Sequence, residues 1–360
     1  MASATTSAAP APVRIEADKL ASAVADIFAS LGIASADAQI VANDLVLADL
    51  EGVGSHGVML MPMYVERIQK GSVSKAGRGD VVGNNRTALV IDAGNALGQL
   101  TAHRAVGLVS ARAREYGMAT VAVRNAFHFG TAGRYARLIA EHGCVGIVMS
   151  NTRPLMPAPG GAEAITGNNP IAFALPSAGE HPVEVDMAPS ATAMGKIRLA
   201  AAAGQSIPAD WAMAADGKPT TDPNEAIKGM LAPAAGPKGF GLAFIIDLLC
   251  GGLSGGAIGA DVRPLYGDAS EPYRCSQLFV AIDTGAFPTG DAFADRVNEQ
   301  AHRVSNSKRA PGVDRVYAPG ELAYATREKN AGICILSRQT FDSLIAAGKS
   351  AGIDIEAALT

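Results

Sequence analysis

The chain has 360 residues, of which 48% are hydrophobic and 18% are charged, which is enough apolar sequence for two or three domains with substantial cores. Its formal net charge is −4 and its lysines and arginines are scattered, which argues against a nucleic-acid-binding protein. The densest apolar run, 239–253, contains Asp247 and is too short to span a bilayer, which argues against a membrane protein.

The first dozen residues and the spacing of the cysteines both suggest a cytoplasmic location. Residues 1–12 are Ala, Ser, Thr and Pro without a basic or long apolar stretch, so we expect a disordered leader and not a signal peptide. The wide spacing of the cysteines argues against a zinc knuckle or a redox pair and favours reduced core thiols, so we expect no bound metal. The four are Cys144, Cys250, Cys275 and Cys334.

Two helical patterns lead into a glycine-rich segment near the start of the chain. Apolar residues recur at helical spacing over 17–34 and again over 35–50. The segment Gly52–Gly57 fits the Gly-x-Gly-x-x-Gly dinucleotide pattern, but that pattern must follow a strand, so we reject a Rossmann phosphate loop. What remains is a hinge that carries Ser55 and His56. The imidazole is either functional or solvent-facing beside a helix-capping serine.

From about residue 87 the chain alternates between strands and helices. Strands are predicted at 88–92, 119–124, 145–150, 171–175, 183–187 and 278–282, with helices at 98–116 and 131–141. This alternation predicts a mainly parallel sheet covered on both faces. The Pro- and Gly-rich stretch 205–238 is predicted to be a long functional loop. The last segment, from 291 to about 352, is predicted to be helical and to return to the N-terminal helices.

Polar residues follow the predicted strands, where α/β sheets bind ligands. His128 lies after one strand and before a helix, whose start favours the neutral, base-competent imidazole. It is equally typical of a structural hydrogen-bonding group. Asp186 ends another strand and is either a helix cap or an acceptor for ribose hydroxyls or an imidazole. Lys238 lies at the start of an apolar helix, where it either belongs to a pyrophosphate-binding site or is a solvated surface lysine.

Taken together, these segments resemble the malate/L-lactate dehydrogenase family of the non-Rossmann type, which includes ureidoglycolate dehydrogenase, sulfolactate dehydrogenase and cyclic imino-acid reductases. The similarity extends over nearly all of the chain after the leader, in the family's order. The matching stretches are Ala48–Gly57, His128–Gly130, Pro159–Gly161, Gly167–Ala172, Asp186–Ala188, Gly195–Lys196, Pro219–Pro223 and Gly236–Leu242.

The resemblance implies a nicotinamide-dependent oxidoreductase that works on a small molecule as a homodimer. Its α/β fold would hold NAD or NADP in a non-Rossmann domain at 81–289, beside a helical domain built from the segments 13–80 and 290–360. His128 matches the family's proton acceptor, and His56 matches a substrate-pocket histidine. Ser55 and Asn169 are assigned to the same pocket. The positions that match cofactor contacts are Thr152, Asp186, Met187, Ala188, Lys238, Gly239, Gly320 and Glu321.

One position departs from the family pattern. An arginine that could grip a substrate carboxylate normally stands four residues after the hinge histidine, and here that position is Leu60. Either another cation, Arg274 or Arg153, takes over, or the substrate presents an apolar group there. We expect hydride transfer with a 2-hydroxy or 2-oxo acid resembling malate, lactate or ureidoglycolate. The alternatives are reduction of a cyclic imine carboxylate, such as piperideine- or pyrroline-2-carboxylate, and a non-catalytic binding protein. NAD is favoured because Asp186 would repel a 2′-phosphate.

Overall fold

The computed structural model describes residues 11–75 and 77–359, in two compact units. One unit combines Met1–Gln69 with Ala323–Thr360, and the other is Lys70–Leu322. Residues 1–10 of the predicted leader lie outside the described residues. No helix in the described ranges is long and apolar enough to cross a membrane.

The elements of the described ranges are numbered in chain order. The helices are α1 (Ala17–Ser30), α2 (Ser35–Leu50), α3 (Met61–Gln69), α4 (Gly98–Tyr116), α5 (Ala132–Glu141), α6 (Met194–Ala202), α7 (Pro223–Lys228), α8 (Pro237–Asp247), α9 (Phe293–Ser305), α10 (Glu321–Asn330), α11 (Arg338–Ser350) and α12 (Glu356–Leu359). The strands are β1 (Val13–Glu16), β2 (Asp80–Asn85), β3 (Ala88–Asp92), β4 (Met118–Ala126), β5 (Cys144–Ser150), β6 (Met156–Pro157), β7 (Ala164–Thr166), β8 (Ile171–Leu175), β9 (Val183–Met187), β10 (Ala212–Met213), β11 (Met230–Leu231), β12 (Cys275–Asp283) and β13 (Ile333–Leu336).

The first unit joins the two ends of the chain through a short ladder and a helical core. Strands β1 and β13 pair antiparallel, with Val13 opposite Leu336. Phe28 of α1 and Tyr64 of α3 are fully buried and meet edge to face, 6.0 Å between ring centres. The prediction that the C-terminal segment is wholly helical is wrong at β13. Its four apolar residues alternate between buried and exposed, which suits a strand.

The second unit is built on a seven-stranded sheet of order β2-β3-β4-β12-β5-β8-β9. The prediction of a mainly parallel sheet is wrong, because β3 and β4 are its only parallel pair. Strand β12 inserts antiparallel between β4 and β5, with Leu278 opposite both Ala122 and Met149. Apolar periodicity reports burial on both faces but not strand direction, so the sequence pattern is the same in either case.

The pairing nevertheless gives four strands a common direction. Strand β3 is parallel to β4, and β5 runs the same way because each of them is antiparallel to β12. Strand β9 is antiparallel to β8, which is antiparallel to β5, so β9 also runs with them. The carboxyl ends of β3, β4, β5 and β9 therefore meet at one edge of the sheet.

Helices cover both faces of the sheet, as predicted. On one face Phe279 of β12 contacts Tyr135 of α5, with ring centres 6.2 Å apart. On the other face Ile246 and Cys250, in α8 and the π-helical turn that follows it, pack with Leu278 in a buried cluster. Adjacent residues of a strand point to opposite faces, so residues 278 and 279 contact the helices on the two different faces of the sheet.

The limits of the units and the stretch 205–238 differ from prediction. Residues 70–80 and α9 lie with the sheet, so the boundaries fall at 69/70 and 322/323 instead of 80/81 and 289/290. Hydrogen bonds hold both there: Ser74 N–H donates to the Asn95 carbonyl at 2.8 Å, and Ala178 N–H donates to Ala294 at 3.1 Å. The predicted loop 205–238 contains α7 and the antiparallel pair β10–β11, which flanks that helix.

Candidate active site

The hinge of the first unit places Ser55 and His56 in a 3-10 turn, Gly54–His56. Ser55 Oγ lies 3.0 Å from His56 Nδ1. Burial lowers the pKa of His56 below its ordinary value of 6.5, because a charged imidazolium is poorly solvated there. His56 is therefore neutral at physiological pH and able to accept a proton.

Leu60 belongs to a second 3-10 turn, Val58–Leu60, and only 3% of its surface is exposed. Helix α11 packs against this turn. The side chain thus lies in packed surroundings and offers no charge to a carboxylate. A direct contact between Leu60 and the substrate stays a prediction.

In the second unit, β4 delivers His128 to the shared edge of the sheet. His128 is half-buried, and its Nδ1 lies 3.4 Å from the backbone N–H of Gly130, which donates to it. The flanking backbone is held on both sides. Gln277 Nε2 donates to the Phe127 carbonyl at 3.2 Å, and the Tyr135 hydroxyl donates to the Phe129 carbonyl at 2.5 Å. These bonds give His128 a well-defined position between strand and helix.

Asp186, at the end of β9, contacts the first turn of α5, the helix that follows His128 in the chain. Its Oδ2 accepts a hydrogen bond from the backbone N–H of Gly133 at 2.7 Å. An ideal Cβ on Gly133 would lie 3.0 Å from that oxygen, so the glycine allows the close approach. Residues 130–133, which lead into α5, therefore bind both side chains: His128 through the Gly130 N–H just before the helix, and Asp186 through the Gly133 N–H in its first turn. A carboxylate is favoured at this position by the positive end of the helix.

Strand β9 is also tied to α5 by an ion pair. Arg137 Nε lies 3.3 Å from Glu184 Oε2, and the two side chains are 6% and 9% exposed. Both side chains are nearly buried, so each charge is stabilised by the other. It fixes the strand that carries Asp186, two residues further on, to the helix that follows His128.

Thr152, after β5, is held by the side chain of Asn169. Asn169 Oδ1 accepts from the Thr152 N–H at 2.8 Å, while its Nδ2 donates to the Ala243 carbonyl at 2.8 Å and to Thr166 Oγ1 at 3.1 Å. Asn169 is fully buried, so its amide is committed to protein groups. The structure shows it positioning Thr152, and a contact between Asn169 and the substrate stays a prediction.

A buried carboxylate lies beneath this arrangement. Asp247 of α8 is 3% exposed and accepts from Asn151 Nδ2 at 2.9 Å and from the Gly259 N–H at 3.2 Å. Asn151 also donates to the Ala257 carbonyl and accepts from the Ser276 N–H. Burial raises the pKa of Asp247 above its ordinary value, and the donors oppose that rise. The network joins β5, α8 and the start of β12.

The predicted cofactor residues 186–188 and 238–239 lie on chain segments that touch. Ala234 N–H donates to the Pro189 carbonyl at 2.8 Å. An ideal Cβ on Gly239 would lie 2.4 Å from the Ala234 carbonyl oxygen and 2.6 Å from that of Pro189, so only glycine fits. Lys238 is exposed in the first turn of α8, where backbone amides and the helix dipole also favour an anion.

The turn at Gly320 and Glu321 lies beside β9. Glu184 N–H donates to the Pro319 carbonyl at 3.3 Å, and an ideal Cβ on Gly320, whose φ is +92°, would lie 2.7 Å from Glu184 Cγ. Glu321 accepts hydrogen bonds from the Ala318 N–H and from Ser305 Oγ, both at 2.9 Å. Its carboxylate therefore shapes the turn, whatever ligand it contacts.

Arg274 precedes β12 at the same edge of the sheet. Cys275 pairs with Ala126, so the arginine lies next to the segment that leads to His128. Its guanidinium is exposed, and its backbone adopts a positive φ of 58°, which is unusual for a side-chain-bearing residue. An unusual backbone held in place at a candidate site is consistent with a functional position.

The structure thus brings His128, Thr152, Asp186 and Arg274 to one edge of one sheet. It describes Ser55, His56 and Leu60 as a separate group in the other unit. Sequence reasoning missed the supporting roles of Asn151 and Asp247. The only signal was a lone acidic residue in an apolar run, which is typical of a buried polar network.

The family profile with the description "Malate/L-lactate dehydrogenase" matches residues 15–344 of this chain. The chain belongs to the malate/L-lactate dehydrogenase family. It is therefore an oxidoreductase that uses a nicotinamide cofactor. This confirms the resemblance and the enzyme class predicted from the sequence.

Relatives and solved structures agree over nearly the whole chain. A malate dehydrogenase of Pyrococcus abyssi is 34% identical over 350 residues, 95% of this chain and 96% of the relative. The ureidoglycolate dehydrogenase (NAD(+)) of Escherichia coli K12 is 33% identical over 309 residues, 86% of this chain and 88% of the relative. The structure of sulfolactate dehydrogenase from Methanocaldococcus jannaschii superposes with a TM-score of 0.89 at 32% identity, covering 96% of this chain and 99% of that one.

Proposed function

We propose that this enzyme transfers a hydride between NAD(P) and a 2-hydroxy or 2-oxo acid. Its relatives include proteins named malate, sulfolactate and ureidoglycolate dehydrogenase. The observation that carries the proposal is the shared direction of β4, β5 and β9. It collects a histidine, a threonine and an aspartate at the edge where α/β sheets bind ligands.

The donor set at this edge fits a nicotinamide dinucleotide. Lys238 and the start of α8 would hold the pyrophosphate, since ammonium, amides and dipole share one sign. Asp186 and the 320–321 turn offer acceptors for ribose hydroxyls. Thr152 and the backbone of 187–188 complete the cofactor contacts. The nicotinamide supplies or accepts the hydride when bound. We favour NAD because the Asp186 carboxylate would repel a 2′-phosphate.

His128 moves the proton that accompanies the hydride. In reduction it donates a proton to the substrate oxygen, and in oxidation it accepts that proton. Ser55 and His56 bind the substrate, and the neutral form of His56 suits a hydrogen bond to a hydroxyl or oxo group.

Arg274 is proposed to bind the substrate carboxylate in place of the arginine that Leu60 replaces. It offers an exposed guanidinium beside the His128 segment. An Arg274→Ala variant should raise the KM for carboxylate substrates about 10- to 100-fold, as expected for a lost charged hydrogen bond. Arg263→Ala is the matched control, since Arg263 is exposed and pairs with Glu271. Equal effects of the two variants would remove Arg274 from the pocket.

The decisive experiment is a panel of 2-oxo acids, 2-hydroxy acids and cyclic imine carboxylates with NADH, NADPH and their oxidised forms. Turnover of oxo or hydroxy acids supports the proposal. Turnover of imines alone favours the alternative reductase. Absence of any nicotinamide fluorescence change on titration with either reduced cofactor would contradict the proposal.

His128→Ala tests the proton-transfer role. We expect turnover to fall by about 100-fold or more while the dissociation constant for the cofactor stays nearly unchanged. His142→Ala is the control, because His142 is exposed at the end of α5. Unchanged turnover in His128→Ala would show that another group moves the proton.

A homodimer in the cytoplasm is proposed as the working form. Apolar side chains at helical spacing along α8 and its continuation are exposed: Ile245 by 52%, Leu248 by 40% and Leu253 by 59%. A stripe of this kind is typical of an interface, and the second copy of this chain is the expected partner. All four cysteines are buried and free, consistent with reduced thiols. Light scattering of wild type and Ile245→Asp tests the assembly, and a wild-type monomer would contradict it.

A further inference from the structure

The hinge that carries Ser55 and His56 is folded around one carboxyl group. Asp49 stands near the end of α2, and its Oδ2 accepts a hydrogen bond from the Val58 N–H at 2.8 Å. An ideal Cβ on Gly57 would lie 2.3 Å from the carboxyl carbon and from both oxygens of Asp49. The carboxyl group therefore occupies the space that any side chain at position 57 would need.

The backbone of the hinge shows why this acceptor matters. Two 3-10 turns, Gly54–His56 and Val58–Leu60, are separated by Gly57, which is extended with φ −95° and ψ −151°. Within them His56 N–H donates to Val53, and Gly57 N–H donates to Gly54. The N–H of Val58 starts the second turn and has no acceptor of its own there, as at any helix start. Asp49 supplies that acceptor and links the end of α2 to the residue two positions after His56.

The surroundings of Asp49 are unfavourable for an ordinary aspartate. The side chain is half-buried, and burial raises its pKa to about 7 although the Val58 hydrogen bond opposes the rise. The elements that contact α2 include α1, the hinge and β13, and Asn330 of α10 donates to the Leu50 carbonyl at its end. Among their titratable groups, His56 belongs to the hinge and Cys334 to β13. Burial raises the pKa of Cys334 to about 12, and the Asp49 charge adds to that rise. A carboxyl group kept in such a place is a candidate for function.

We propose that Asp49 is a positioning residue of this enzyme. Its carboxyl group holds residues 54–58 in the conformation that presents Ser55 and His56 to the substrate. This inference rests on the proposed function, in which those two residues bind the substrate, and it adds the group that sets their place.

Two substitutions of Asp49 separate positioning from general stability. Asp49→Ala removes the acceptor of the Val58 N–H and should raise the substrate KM about tenfold, as expected when a hydrogen bond that holds the hinge is lost. The turnover number and the cofactor dissociation constant should stay within about threefold of wild type. Asp49→Asn keeps an acceptor oxygen and should restore KM to within about threefold. Asn43→Ala, on the exposed face of the same helix, is the control. A KM unchanged in Asp49→Ala, or equal in both variants, overturns the proposal.

Gly57 provides a second test if Asp49→Ala folds poorly. Gly57→Ala alone places a methyl group on the Asp49 carboxyl and should raise KM. In the double variant Asp49→Ala/Gly57→Ala that methyl occupies vacated space, so KM should be lower than in Gly57→Ala. Additive effects of the two substitutions would show that the carboxyl group and the glycine do not act together.

A readout without turnover keeps this proposal distinct from the proposed function. The ring resonance of His56, assigned by its loss in His56→Gln, can be followed by NMR in each variant. It should move in Asp49→Ala and return to the wild-type position in Asp49→Asn. That result supports positioning even if no substrate of the panel is turned over, an outcome that would refute only the proposed function. A resonance that stays in place in Asp49→Ala refutes the positioning role.

Discussion

Replacing Asp49 by asparagine should stabilise the enzyme in alkaline solution more than in acid. Burial raises the pKa of Asp49 from its ordinary value of 3.8 to about 7 in the folded chain. Between these values the unfolded chain releases the proton and the folded chain keeps it. The unfolded state then binds fewer protons, so wild-type stability falls as pH rises through this window. Asparagine does not titrate and escapes this loss.

The size of the effect follows from the two pKa values. One pKa unit corresponds to about 1.4 kcal/mol, so the loss for a fully buried group would be about 1.5 kcal/mol near pH 5 and about 4 kcal/mol near pH 8.5. Asp49 is only half-buried, and solvent screening reduces both values. The stability difference between Asp49→Asn and wild type should therefore grow by about 2 kcal/mol from pH 5 to pH 8.5.

Urea unfolding of both proteins at the two pH values measures this change. Differences between the two side chains that do not depend on pH contribute a constant offset, which cancels when the two pH values are compared. Asn43→Asp, an exposed carboxylate on the same helix, should show no such growth. A stability difference that stays the same from acid to alkaline pH would refute the reasoning, because it would place the Asp49 carboxyl in water.

Three further predictions concern the charges and glycines around the site. Glu184→Ala removes the carboxylate that pairs with the nearly buried Arg137, so urea unfolding should show a loss of about 3–5 kcal/mol in the free energy of unfolding. Gly239→Ala should weaken NADH binding about tenfold or more in a fluorescence titration, since its Cβ meets two backbone carbonyls. Gly241→Ala, with open space at its Cβ, should leave that affinity unchanged. In an NMR pH titration the midpoint of His56 should lie below 6.5, because burial disfavours its charged form; a midpoint at or above 6.5 would contradict its burial.

The sequence was sufficient to predict most helices and strands of the second unit but not the order and direction of the strands in its sheet. Helices α4 and α5 and the six predicted strands are present at nearly the predicted positions because their apolar periods are strong. Strand direction leaves no trace in those periods. The place of β12 between β4 and β5 depends on side-chain packing across about 130 residues, which no local pattern encodes. The strand β13 was missed since it is four residues long.

At the candidate site, sequence reasoning singled out the residues that are proposed to carry chemistry but not those that hold them in place. His128 and Asp186 were singled out because each lies at the end of a strand, and the structure joins them through the backbone N–H groups of Gly130 and Gly133 at the start of α5. Asp49 was missed because a polar residue in a helix pattern is normally assigned to the solvent face. Its role depends on the fold of a hinge nine residues away, and only the coordinates reveal that the chain turns back over it.

The central position of β12 has a consequence for synthesis. Its partner β5 ends at Ser150, and β12 begins only at Cys275. At roughly 5–20 residues per second, a ribosome needs on the order of ten seconds to make the intervening chain. Throughout that interval β4 and β5 have open, apolar edges of the kind that invite aggregation. Strand β12 therefore completes the sheet late in synthesis, and its arrival ends the interval in which those strand edges are open.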